Sequence, residues 1–260
     1  MQIQTNMAQH TNYHTKTQER IEQKESFLDP LFAYLDQDRP VIDPASPEWR
    51  VITYKEYNRS SKIALPEPVP LPPNTLEDIL RQRKSERNFS EKPLSRETLG
   101  DLLYWSAGLK SPNTPDESRR FYPSGGARFP IEIYVANFKE GALPAGTWHY
   151  NVRGHTLEKL AWAAPEKIKH SLTYDFAKSA AAIIMLAYVK NRNAKKYGNL
   201  GYKLGLLEAG HLGQNIYLVG TALGLNICAL GGINYEVVQR ELNLGGNETV
   251  FYQFAIGRPA

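Results

Sequence analysis

Between Arg83 and Arg87 the chain reads Arg-Lys-Ser-Glu-Arg, which puts two guanidinium groups, an ammonium and a hydroxyl within five residues. That set suits a phosphate, because arginine offers paired N–H donors and serine a short one. The candidate anion ligands are Arg83, Lys84, Ser85 and Arg87. Gly257-Arg258-Pro259, just after a strand-like run, adds Arg258, which could close a clamp on the same anion from a second side. Two glycine pairs add backbone donors: Pro123-Ser124-Gly125-Gly126-Ala127 precedes one strand-like run, and Ala229-Leu230-Gly231-Gly232 ends another. Adjacent glycines let backbone N–H groups come near a flat heteroaromatic ring without side-chain obstruction. Taken singly, a basic cluster is more often a solvated surface and a glycine pair an ordinary turn.

Other chemistries are disfavoured. No Gly-x-Gly-x-x-Gly opens a helix after a strand, and no Gly-x-x-x-x-Gly-Lys-Ser/Thr occurs, which argues against Rossmann and P-loop sites. The histidines, His10, His14, His149, His155, His170 and His211, show no metal-ligand spacing, so no metal is expected. Cys228, the single cysteine, sits in the apolar run Leu225 to Leu230 and reads as a small core residue; an intrachain disulfide is excluded. A net charge of +4 with both signs interspersed lacks the basic stripe of a nucleic-acid-binding protein. The first thirty residues have no apolar core, and the most apolar run, Ala180 to Val189, falls well short of the roughly 20 residues that span a bilayer. The expectation is a cytoplasmic protein.

The positioning elements read as follows. Residues 1–25 are polar and predict a disordered or loosely ordered segment. Residues 26–73 carry scattered aromatics and many of the prolines, and predict an extended arm that wraps over a neighbouring domain or subunit. Its end, Pro66 to Pro73, predicts a stiff polyproline-like connector. Residues 74–260 form the organised domain. Thr75-Leu76-Glu77-Asp78 resembles a capping box, and a second helix starts after Ser95. Ile131 to Phe138 predicts a strand, Gly146 to Tyr150 and His155 to Leu160 a hairpin, and Ala180 to Val189 a central strand buried on both faces. A long helix spans Leu204 to Leu223, followed by a strand to Leu230, a helix over Tyr235 to Leu242 and a last strand over Thr249 to Ile256. The polar run Asn191 to Asn199 reads, from its residues, as a solvated loop. Without a regular βαβ cadence the class is α+β.

The long helix carries too many glycines to be ordinary. Gly205, Gly210, Gly213 and Gly220 each cost about 1 kcal/mol relative to alanine. Gly205, Ala209 and Gly213 lie four apart on one face, where a second backbone or a flat cofactor could approach. The alternative is a helix packed tightly inside one subunit. Glu208, His211, Gln214 and Asn215 are polar groups within its apolar pattern.

The ordered series Arg83 to Phe89, Pro93-Leu94-Ser95, Pro123 to Glu132, Gly146 to Tyr150, Lys196-Tyr197-Gly198, Gly201-Tyr202-Lys203, Leu207 to Asn215, Leu230-Gly231-Gly232 and Ala255 to Pro259 resembles the SagB-type dehydrogenases of the nitroreductase-like superfamily. The resemblance runs from about Leu71 to the last residue. It implies a central, mostly antiparallel sheet flanked by helices, an interlocked homodimer, and FMN bound at the two-fold interface. By resemblance, Arg83, Lys84, Ser85 and Arg87 hold the ribityl phosphate and Arg258 completes the clamp. Pro123, Ser124 and Gly125 approach the isoalloxazine from the partner subunit, and Gln214 with Leu230, Gly231 and Gly232 lines the other ring edge. Arg128 stands where the family usually has a small or aliphatic side chain, which would reshape the substrate mouth.

The same resemblance implies the reaction: oxidation of peptidyl thiazoline or oxazoline rings to azoles, with O2 as the final oxidant. Lys196 and Tyr197 match the lysine–tyrosine pair of the azoline-oxidising members. The substrate would be a ribosomal precursor peptide or a chain on a carrier protein of a nonribosomal assembly line, presented within a modifying complex. Two other functions fit the same fold: an NAD(P)H-dependent nitro- or quinone reductase, and a non-catalytic scaffold of a peptide-modifying complex.

Overall fold

Residues 182–189 form a strand in which all eight residues are buried. Their side chains alternate between two apolar clusters: Ala182, Ile184, Leu186 and Tyr188 on one face, Ile183, Met185 and Ala187 on the other. Residues 131–137 alternate likewise, with Ile131, Ile133 and Val135 opposite Tyr134 and Ala136. Strands covered on both faces can carry continuous apolar runs, so the uninterrupted hydrophobicity of 180–189 follows from a sheet with helices on both sides.

The computed structural model describes residues 53–110, 119–232 and 234–260. In order the elements are β1 (Lys62–Ala64), α1 (Leu76–Gln82), α2 (Arg96–Ala107), β2 (Ile131–Asn137), β3 (Gly146–Asn151), β4 (Thr156–Lys159), α3 (Pro165–His170), α4 (Asp175–Lys178), β5 (Ala182–Val189), α5 (Lys190–Tyr197), α6 (Leu200–Ala222), β6 (Asn226–Leu230), α7 (Tyr235–Glu241) and β7 (Glu248–Gly257). The seven strands form one sheet in the order β1-β4-β3-β2-β5-β7-β6, every neighbouring pair antiparallel. This is the central antiparallel sheet flanked by helices that the sequence leads one to expect. Among the described residues no helix is long and apolar enough to cross a membrane.

The expected caps are present. Thr75 accepts from the Asp78 N–H at 3.1 Å while Asp78 reaches back to the Thr75 N–H, and Ser95 accepts from the Thr98 N–H. Such caps contribute about 1 kcal/mol each. The segment 1–25 and the arm's first half lie outside the described residues. The rest of the arm packs on its own chain: β1 pairs with β4, Leu65 enters the core, Val69 N–H donates to Asp101 Oδ1 at 3.1 Å, and Trp105 Nε1 donates to Val69 O at 2.8 Å.

One local expectation is overturned. The polar run after β5 is not a loop: residues 190–197 form α5, because Arg192 and Asn193 turn inward and are buried while Lys190, Asn191 and Lys195 face outward. Composition alone hides the two buried polar positions that make this a packed helix.

Candidate functional site

The glycine loop before β2 is conformationally strained. Gly126, Ala127 and Phe129 have φ of 61°, 53° and 46°, and a left-handed backbone is costly for the last two. Ser124 Oγ accepts from the Phe129 N–H at 2.8 Å and closes the loop on itself. A β-carbon built on Gly126 collides with Tyr197 Oη and lies 3.1 Å from Lys196 Nζ, and one on Gly125 lies 3.1 Å from Leu204 of α6. Pro123, Ser124 and Gly125 therefore belong to the same cluster as Lys196 and Tyr197, on the last turn of α5. Arg128 is buried beside them and donates from Nε to Arg192 O at 3.2 Å. Burial lowers its pKa, an effect the nearby Tyr197 opposes.

Glu208 of α6 lies under this loop, 1% exposed. Neither carboxyl oxygen completes a hydrogen bond with a described group. Burial pushes its pKa up to about 8, against the opposing pull of the Ser124 hydroxyl and the Arg120 and Arg192 guanidiniums. At neutral pH it is mainly a neutral acid.

A chain of charge, buried from Glu158 onward, runs from the exposed Lys62 through the sheet to α5. Lys62 Nζ lies 2.8 Å from Glu158, whose other oxygen is 2.9 Å from His149 Nδ1. His149 Nε2 is 2.8 Å from Glu132, and Arg192 pairs with the second oxygen of Glu132. Burial disfavours the charged imidazole, but the hydrogen bonds to Glu132 and Glu158 outweigh it and raise its pKa. Burial likewise works against the Glu132 carboxylate, yet Arg192 and His149 hold its pKa down to about 2. Sequence reasoning missed this chain, because its members are far apart in sequence and only the pleat register brings them onto one face.

At the far end of α6 the basic cluster is divided. Residues 83–88 run without regular structure beside β6, with the Glu86 N–H donating to Ile227 O at 2.8 Å, and the alternate side chains make separate sets of contacts. Arg83 lies over the Tyr217 ring at 5.4 Å, Ser85 Oγ is 2.9 Å from Tyr217 Oη, and Arg87 lies over Phe176 and beside Cys228. Lys84 pairs with Glu86 and lines a cleft of about 520 Å³. Arg258, whose carbonyl accepts from the Ser90 N–H at 3.0 Å, lines an adjoining cleft of about 260 Å³ that shares Gly224, Leu225 and Pro259 with the first. The structure thus gathers all five residues at one end of the molecule, in two sets: Arg83, Ser85 and Arg87 on one side, Lys84 and Arg258 around the clefts.

Tyr217 is the residue that sequence reasoning missed here. Its hydroxyl also accepts from the Ala229 N–H at 2.7 Å, so it ties the Ser85 segment to the strand that leads into Leu230-Gly231-Gly232. Leu230 is buried, while a β-carbon on Gly231 would meet no atom within 4 Å and leaves that backbone open to a flat ligand. Gln214, one turn before Tyr217 on α6, is exposed. The glycine seam itself faces the chain's own sheet: β-carbons on Gly205 and Gly213 would come within 2.5 Å of Tyr188 and 2.7 Å of Phe254. Close packing inside one subunit accounts for those two glycines, whereas Gly210 is open.

The family model described as the nitroreductase family matches residues 80–258. MJ1384 of Methanocaldococcus jannaschii, named as a nitroreductase, is 29% identical over 64% of this chain and 83% of its own length. The microcin B17-processing protein McbC of Escherichia coli is 32% identical over 60% of this chain, which spans only 60% of McbC. The crystal structure of a nitroreductase-named protein from Ralstonia eutropha superposes with a TM-score of 0.68 at 25% identity, covering 86% of this chain and 99% of that one. With a match that runs from the first basic cluster to Arg258, over more than half of its length, this chain belongs to the nitroreductase family of oxidoreductases.

Proposed function

We propose that the chain is an FMN-dependent dehydrogenase that oxidises thiazoline or oxazoline rings in a peptide to azoles, working as a homodimer. The observation that carries the reading is the packing of Lys196 and Tyr197 onto Gly126, which joins a candidate proton acceptor to a loop able to face a flat ring. The name of McbC, a microcin-processing protein, supports a peptide substrate.

The residues present fit the flavin. Arg83, Ser85 and Arg87 form a row of donors suited to its phosphate, and Arg258 is carried to the same end of the molecule. Gly231 leaves an unobstructed backbone for the ring. Leu204, against the glycine loop, and Tyr217, against Ser85, are thirteen residues apart on α6, or roughly 20 Å along its axis. We read the site as composite, with the anion row of one copy facing the loop of another. The exposed Leu206 and Leu207 on the intervening helix are the apolar surface a second copy would cover.

Converting an azoline to an azole removes a hydride and a proton. The bound flavin supplies the hydride acceptor. Tyr197 takes the proton, and the Lys196 ammonium lies beside it, 5.2 Å from the ring centroid. The strained loop keeps Tyr197 Oη facing the ring site, and Arg128 borders the substrate entrance.

The purified protein should be yellow. A thiazoline model peptide should bleach it under nitrogen and air should restore the colour, while Tyr197→Phe should stay yellow and lose most of its turnover. Bleaching by NADPH but not by thiazoline would transfer the assignment to a nitro- or quinone reductase, and a colourless protein to a scaffold.

A further inference from the structure

We propose that Glu132, His149 and Glu158 are positioning residues: their buried chain of alternating charge holds Arg192, and through it the helix that carries Lys196 and Tyr197. The inference rests on the roles given to that pair under the proposed function, but its geometry stands apart from any ligand.

The argument begins with α5, which is a poor helix by itself. It has eight residues, Lys190 and Arg192 in its first turn, no acidic residue there and no side-chain N-cap. Cations at the positive end of a helix dipole are unfavourable, and so short a helix does not persist without tertiary support. That support comes from outside. Asn247 takes the Lys190 N–H on its carbonyl and the Asn191 N–H on Oδ1, and Glu132 supplies the carboxylate that the first turn lacks. Arg192 is held at two points, by Glu132 and by Phe129 O at 3.1 Å, and its own carbonyl accepts from Arg128. Lys196 follows one turn later on the same face.

Behind Glu132 the chain extends to His149 and Glu158, both wholly buried. Carboxylates only accept hydrogen bonds, so both ring nitrogens of His149 donate and the ring is an imidazolium. Glu158 accepts in addition from Asn151 Nδ2, from the Tyr57 N–H and from Lys62. The rings of Tyr57 and Tyr134 pack on the imidazole, Lys55 lies over both, and Arg120 acts on Glu132. Buried ion pairs add little net stability compared with well-packed apolar residues, so stability alone is a weak reason for this chain. Its two ends give a stronger one: an edge strand of the arm at Lys62 and the helix of the proposed proton acceptor at Arg192.

Hydrogen–deuterium exchange of the full chain at pH 7 tests this without flavin or substrate. In His149→Gln and Glu132→Gln the amides of 190–197 should exchange at least tenfold faster, while β5 keeps its wild-type rate. With whichever substrate the wild type oxidises, kcat should fall about tenfold with KM within twofold. Unchanged exchange over 190–197 in the folded variants overturns the proposal. If both variants lose β5 protection, Arg192→Lys is read the same way, because its single ammonium cannot hold Glu132 and Phe129 O together. Faster exchange in a protein that ignores thiazolines supports the positioning role and refutes only the azoline chemistry.

Discussion

Tyr197 closes over Gly126 so tightly that no β-carbon fits between them: one built there strikes the phenolic oxygen and lies 3.1 Å from Lys196 Nζ. The contact joins two segments about seventy residues apart, one supplying a backbone with φ of 61°, the other the proposed acid–base pair.

Gly126→Ala should therefore damage chemistry more than folding. The left-handed backbone costs the alanine about 1–2 kcal/mol, and Tyr197 must also move. Turnover should fall at least tenfold while bound flavin, read from visible absorbance, stays within twofold of wild type.

Tyr217→Phe tests the other end of α6. It removes the acceptor of the Ala229 N–H and the partner of Ser85 Oγ, and a buried unpaired donor costs about 1–3 kcal/mol. Flavin should bind about tenfold more weakly by fluorescence titration, with turnover at saturating flavin largely kept.

Glu208→Gln should stabilise the protein, and more so as pH rises. Its carboxyl is raised to about 8 from an ordinary 4.5, so its neutral form favours folding below pH 4.5 and this advantage is lost as pH climbs through 8. At pH 7 the linkage amounts to roughly 3 kcal/mol. Urea midpoints of wild type and variant should converge near pH 4.5 and diverge toward pH 8; a constant gap would contradict the assignment.

Acid should act through Glu132. Its carboxyl is depressed to about 2 from 4.5, so its contribution, on the order of 3 kcal/mol, is present above pH 4.5 and lost as pH falls toward 2. His149 works in the opposite direction: its raised pKa makes its contribution complete below 6.5 and lost as pH rises through the folded value. Glu132→Gln should flatten the acid limb of the stability profile measured by urea unfolding.

Gly213→Ala should destabilise by about 1–3 kcal/mol through overpacking, because the new methyl would lie 2.7 Å from the Phe254 ring. Gly210→Ala, with no neighbour within 4 Å, should be neutral or stabilising in the separated chain. Chemical denaturation of the two variants under conditions that keep the chain monomeric separates the seam from the outer face.

Much of this protein is legible in its residues. The caps at Thr75 and Ser95, the alternation along 131–137 and the long helix with its glycine seam are encoded by neighbours in sequence, and local rules read them. The basic cluster, the two glycine loops and Arg258 could be named for the same reason. What they share could not: whether Lys84 stands with Ser85 depends on the extended backbone of 83–88 beside β6, and whether the seam meets a partner or its own sheet depends on where Tyr188 and Phe254 lie.

The sequence by itself carried the resemblance to the family, the strands over 131–138 and 180–189, the long glycine-bearing helix and the names of the candidate anion ligands, because each is written in residues close together along the chain. Only the tertiary structure decided that α5 is a helix, that Gly126 lies beneath Tyr197, and that Glu132, His149 and Glu158 join into one line of charge ending at Arg192. The reason is physical. Burial and pairing are set by strand register and helix docking across long sequence separations, and a lone histidine or glutamate carries no mark of the partner the fold will bring to it.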